Sequence, residues 1–436
     1  MSVITFSLNG VAIDRSTTYN VAGMNESQVD VGQLQKRDPQ AWTMVLSGHD
    51  GLEDVAVTAV TAVPVGAQGT TDGYSRRVAR YLVSLANSSD PIPFIGKKTS
   101  AVEAFFYRDL AATTPFITPR CWYAHVFEDD GWVILEDVPN HVANGHWSPA
   151  DVDNVILDMA RFHIAYWDQQ DLAIHYPWLP HFVGRDQKTY SWEELRREQA
   201  VYFEEGPAAL ISDHALQHLG RLAPQFIKAA NGLAVLRALG GWPGVIGESH
   251  LAAAADLLDD PLPMLEPLLR VPQTLLHGSM HKGHWRLTLF EEQRLIDWHN
   301  VAIGPAICDL VSFQEQFDLM FTQDGLATVY ADGPSVASEE TIIDSYLLTM
   351  KDELGPRFNA RQMRQALPAA RCLQTILTCF PHFATWFDRM PDKYTWQRVN
   401  RMTDAELAGR ALLPVVGYRP YLRDVFRRFL QSYKTL

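Results

Sequence analysis

Residues 3–13 alternate apolar and polar side chains around Asn9-Gly10, a spacing that predicts a β-hairpin with a tight turn. Residues 14–37 are polar and predict a loop or arm, and residues 38–48 a short helix. Val55 to Val65 is β-branched and apolar and runs into the glycine-containing stretch Gly66 to Gly73, after which Arg77 to Leu85 reads as a returning strand. A strand, a glycine-rich turn and a strand form a hairpin whose backbone can approach a ligand closely. Pro93 to Lys98 is a short apolar strand ending in lysines. Ala101 to Ala111 has helical spacing and carries Glu103. Trp122–His125 and Trp132–Leu135 read as two more strands, and Pro139-Asn140 ends the sheet.

From Ser148-Pro149 the period changes to that of helices, Pro standing at the first helical position. Further helices are predicted near 192–204, 213–238, 246–258, 338–353, 360–390 and 403–413, interrupted by a β-containing insert from Thr274 to Asp297. The expected domains are an N-terminal extension with a hairpin over 1–45, a strand-rich lobe over 46–140 and a helical lobe over 141–436 carrying the insert.

Composition narrows the function classes. The formal charge is −14, which disfavours nucleic acid and anionic membrane as partners, since phosphate binding needs clustered Lys and Arg. The four cysteines, Cys121, Cys308, Cys372 and Cys379, form no CxxC pair, so neither a disulfide framework nor a zinc ribbon is expected. No signal-peptide pattern opens the chain and no apolar run is long enough to span a membrane, so the expected location is cytoplasmic.

Three segments carry candidate chemistry. They are Asp158-Met159-Ala160-Arg161-Phe162-His163-Ile164-Ala165-Tyr166-Trp167, then Leu275-Leu276-His277-Gly278-Ser279-Met280-His281-Lys282-Gly283-His284-Trp285, then Leu295-Ile296-Asp297-Trp298 with Gly304-Pro305 and Cys308-Asp309-Leu310. In order and spacing they resemble the "LAxxHAxxW", "LxHGDxHxGN" and "IDW…GPxxxDL" blocks of the aminoglycoside phosphotransferase and choline kinase family. The resemblance covers about residues 50–390. It implies an α+β, two-lobed, protein-kinase-like fold, with an antiparallel-sheet N-lobe and a mainly helical C-lobe.

The resemblance also implies roles. Gly66 and Gly69 would lie in the phosphate-covering turn, Lys97 would pair with nucleotide phosphates and Glu103 would partner Lys97. Asp297 would be the metal-binding aspartate, and Asp309 would brace the catalytic loop. Two positions depart from the pattern: Ser279 stands where the family has its catalytic carboxylate, and His284 where it has a metal-binding amide. Serine does not accept a proton at neutral pH as a carboxylate does, and Mg²⁺ prefers oxygen to an imidazole nitrogen.

Three readings stay open. In the first, the kinase-type cleft is reused for non-phosphoryl chemistry without a cofactor; Ser279, His284 and Asp297 act in acid–base catalysis, with His281 and His299 on the substrate. In the second, the chain is an atypical phosphotransferase using ATP and Mg²⁺, with Asp297 on the metal. The third is a noncatalytic pseudokinase. The aromatic residues Trp167, Trp178, Trp192, Phe380, Phe383, Trp386 and Phe387 would suit a small apolar or aromatic ligand.

Overall fold

The computed structural model describes residues 6–8, 11–13, 29–49, 52–65, 78–114, 116–169, 171–183, 211–289, 292–321, 328–330, 334–387, 393–403, 406 and 419–436. The Gly66–Gly73 turn, the helix expected near 192–204 and most of that expected at 403–413 fall outside these residues. The chain forms two compact units: Met1–His146 with His284–Val301 and Gln323–Gly325, and Trp147–Gly283 with Ala302–Thr322 and Leu326–Leu436.

The first unit opens with the expected hairpin, β1 (Phe6–Leu8) paired antiparallel to β2 (Val11–Ile13). Its main element is a five-stranded antiparallel sheet of β3 (Val57–Pro64), β4 (Val78–Leu85), β5 (Ile92–Ser100), β6 (Cys121–Phe127) and β7 (Asp130–Glu136), in the order β3-β4-β5-β7-β6. One face packs on the helix Pro39–Ser47, whose Trp42 is fully buried against Tyr81 and Phe94. Asp38 caps that helix, with Pro39 in its first turn.

The helix Ala101–Phe105 follows β5 directly, Ser100 serving as its cap. It does not run on to Ala111 as an α-helix. The chain widens to a π-turn over Phe106–Leu110 and tightens to a 3-10 turn over Ala111–Thr113. The change of pitch lets Phe106 bury fully and stack on Trp298, with ring centroids 4.2 Å apart.

The second unit is mainly helical. Ser148 and Asp151 close a capping box on the helix Pro149–Ala165, as the Ser148-Pro149 signal predicts. Beyond the expected helices, the sequence reading missed Leu262–Arg270, Ile307–Glu315, Lys393–Arg401 and Arg419–Tyr433. Phe380, Phe383 and Phe387 are buried packing residues, gathered with Trp242, Trp396 and Phe426. The antiparallel sheet of one unit and the helices of the other make the fold α+β. All four cysteines are buried free thiols. No helix among the described residues is long and apolar enough to cross a membrane.

The helix Ala223–Leu239 meets the long helix Ala360–Trp386 at Gly232, where a methyl group would lie 1.8 Å from the Phe380 carbonyl oxygen. Gly232→Ala is therefore expected to force the two helices apart and to cost about 2–3 kcal/mol. A fall in the urea midpoint checks this; an unchanged midpoint contradicts the close crossing.

Candidate active site

Lys97 and Thr99 lie two residues apart on β5 and so share one face of the sheet. The helix that begins immediately after β5 returns Glu103 to that face. Glu103 is fully buried. Its carboxylate accepts hydrogen bonds from Lys97 Nζ at 3.0 Å, from the Trp298 backbone N–H at 3.1 Å and from the Thr99 hydroxyl. A buried carboxylate needs this many donors, because desolvation without partners costs several kcal/mol.

Asp297 comes from the other end of the unit's sequence. Two backbone bonds fix its approach: Ile296 N–H donates to the His284 carbonyl at 3.0 Å, and Leu295 N–H donates to the Ile117 carbonyl at 2.6 Å. Its φ of +71° is a left-handed conformation that aspartate tolerates better than most residues. The turn brings His299 back onto Asp297, with Nδ1 3.0 Å from Oδ1. His284 Nε2 lies 3.3 Å from Oδ2. Lys97 makes a short contact to Oδ1 and so bridges Asp297 and Glu103.

These contacts set the electrostatics. Burial pushes the Asp297 carboxyl up, but hydrogen bonds from His284 and His299 and the attraction of Lys97 outweigh it and hold the group well below the usual carboxylate range. Burial pulls Lys97 down, and Glu103 and Asp297 more than reverse that, so the ammonium is held above the ordinary lysine value. Burial likewise pulls His299 down, and Asp297 raises it past its usual value.

The first unit thus brings together Lys97, Glu103, Asp297, His284 and His299. The sequence reading missed Thr99, Trp298 and Phe106. Thr99 had a signal, since it shares a strand face with Lys97; the Trp298–Phe106 stack had none in local pattern.

Ser279 and His281 belong to the second unit. There the loop after Gln273–Leu276 is held by Asp309, which is buried and accepts from the His277 N–H at 2.7 Å and the Gly278 N–H at 2.9 Å. His163 Nε2 lies 3.3 Å from the same carboxylate, and its Nδ1 is 2.7 Å from the Tyr346 hydroxyl. Ser279 is half-buried, and His281 Nδ1 accepts from the Gly283 N–H at 3.1 Å.

Lys282 is buried over the rings of Trp147 and Phe317, 4.9 and 4.4 Å from their centroids. Burial pulls its pKa down to about 8, against the attraction of Asp318. An NMR titration of the ¹³C-dimethylated protein is expected to place this amine near 8, not near the usual value of about 10.4. Between those values the unfolded chain holds the extra proton. Stability relative to Lys282→Met therefore rises with pH across that window, and a flat difference contradicts the burial of the charge.

A profile described as "Phosphotransferase enzyme family" matches residues 105–337, more than half of the chain. No curated protein matches significantly. Among solved structures, a choline kinase from Cryptosporidium parvum is 14% identical, over 87% of this chain and 99% of that one, with a TM-score of 0.40. An aminoglycoside phosphotransferase from Alicyclobacillus acidocaldarius is 13% identical, over 85% of this chain and 92% of that one, with a TM-score of 0.34. A spectinomycin phosphotransferase in complex with ADP and its antibiotic is 12% identical, over 83% and 98%, with a TM-score of 0.37.

Proposed function

We propose, from the premise that this chain belongs to the phosphotransferase enzyme family, that it transfers a phosphoryl group from a nucleotide to a hydroxyl of a small molecule. The observation that carries this reading is the bridge of Lys97 between Glu103 and Asp297. It holds a half-buried ammonium in a fixed place, which is what binding of nucleotide phosphates requires.

Bound ATP would supply the phosphoryl group. Lys97 would hold phosphate oxygens, with Glu103 fixing its position. His284 would act as the general base. With its Nε2–H directed at Asp297, the basic lone pair is on Nδ1, and Asp297 stabilises the cation formed when the acceptor's proton arrives. The acceptor oxygen would then bond to the terminal phosphorus as the bond to the leaving diphosphate breaks.

Mg²⁺ does not fit the residues present. Both oxygens of Asp297 already meet nitrogen groups, and His284 replaces the expected amide oxygen. No step is therefore assigned to a metal. The same His284–Asp297 pair favours a second reading, acid–base chemistry on a small molecule without phosphoryl transfer.

Slow hydrolysis of ATP, with water standing in for the acceptor, tests the first reading by ³¹P NMR. His284→Ala is expected to lower the rate of ADP formation about 100-fold or more with nucleotide affinity unchanged. An unchanged rate removes His284 as base. ATP that neither binds nor turns over favours the second reading.

A further inference from the structure

Asp297 presents one carboxylate, with Lys97 and His299 on Oδ1 and His284 on Oδ2. A divalent cation would have to displace these nitrogen groups and settle beside the Lys97 ammonium. The half-buried Arg286 guanidinium also lies within the electrostatic reach of Asp297 and adds further positive charge. Mg²⁺ takes near-octahedral oxygen ligands and gives up water reluctantly, so an imidazole in place of an amide oxygen removes one of the few protein ligands it would have. Among the described residues, no group of three or more His, Cys, Asp or Glu side chains is placed to hold a metal ion.

We infer that this chain binds its nucleotide without a divalent cation, the N–H groups of His284 and His299 covering Asp297 where a metal would otherwise sit. The inference rests on the nucleotide reading above. It needs no particular protonation state, because a neutral imidazole still presents one N–H to the carboxylate. Lys97, bonded to Glu103 and to Asp297, can turn its third N–H to a phosphate oxygen.

Calorimetric titration of the full-length protein with ATP, once in excess EDTA and once in Mg²⁺, tests this. The expected result is the same dissociation constant in both buffers to within about threefold. A His284→Asn variant, which restores an oxygen ligand, is expected to bind about tenfold or more tightly in Mg²⁺ than in EDTA. Wild-type binding that disappears in EDTA, or that returns only with Mn²⁺ or Zn²⁺, overturns the inference and leaves the nucleotide reading standing. A His284→Asn protein indifferent to Mg²⁺ overturns the part assigned to His284. Absence of binding in every buffer overturns both the inference and the reading beneath it.

Discussion

Replacing Lys97 with methionine is expected to destabilise the protein by about 3–5 kcal/mol, although methionine has nearly the length and shape of the lysine stem. Glu103 is fully buried, and Asp297 lies on the other side of the ammonium. Without the cation, two carboxylates face each other, and Glu103 keeps only Thr99 and the Trp298 N–H as donors. The cost comes from uncompensated charge, not from lost packing. The double variant Lys97→Met/Glu103→Gln should therefore recover most of the loss, because the neutral amide no longer needs the ammonium. Urea unfolding of the wild type, the single and the double variant forms the test. A single variant as stable as the wild type would mean that the bridge contributes nothing, and a double variant no better than the single would trace the loss to packing.

The second large effect is expected at Asp309. Its two oxygens accept from the backbone N–H groups of His277 and Gly278 and hold the loop that leads into Ser279. Asp309→Ala removes the acceptor of both N–H groups, that of the buried His277 and that of the half-buried Gly278. Each such group costs about 1–3 kcal/mol, so about 4 kcal/mol is expected in total. Asp309→Asn keeps one acceptor oxygen and turns an amide N–H₂ toward the other donor, so it should lose about half as much or somewhat more. Thermal unfolding and amide hydrogen exchange at His277 and Gly278 read this together. Fast exchange confined to these two amides in the alanine variant supports the cradle; protection unchanged from wild type contradicts it.

The strand-rich unit was largely readable from the sequence because its strands alternate between glycine and proline breaks. The helices that escaped did so for physical reasons. All nine residues of Ile307–Glu315 are buried, the polar Asp309, Ser312, Gln314 and Glu315 among them, so that helix has no exposed face to set against a buried one. Leu262–Arg270 contains Pro267, which reads as a breaker although the helix continues through it. Arg419–Tyr433 did carry a signal: Tyr421, Leu422, Val425, Phe426 and Phe429 are spaced as one buried helical face.

At the site, Lys97, Glu103, Asp297, His284 and Ser279 were singled out from the family motifs, and the first four meet in the first unit. Their mutual geometry was not readable. His299 reaches Asp297 only because Asp297 adopts a positive φ, and no local pattern announces that turn. Thr99 and the Trp298 N–H complete the Glu103 cradle through contacts that exist only once the sheet and the distant Asp297 segment have come together. The nitrogen groups of Lys97, His299 and His284 around the two oxygens of Asp297 depend on those same contacts, and residue types alone do not announce them.

The central claim is that the Lys97 ammonium, fixed by Glu103 and Asp297, is the nucleotide-phosphate anchor. Calorimetric titration of the wild type and Lys97→Met with ATP at a temperature where both are folded tests it most directly. Micromolar binding by the wild type and a loss of about 100-fold or more in the variant is the predicted result. Equal affinity in the two proteins would contradict the claim and remove Lys97 from the binding site.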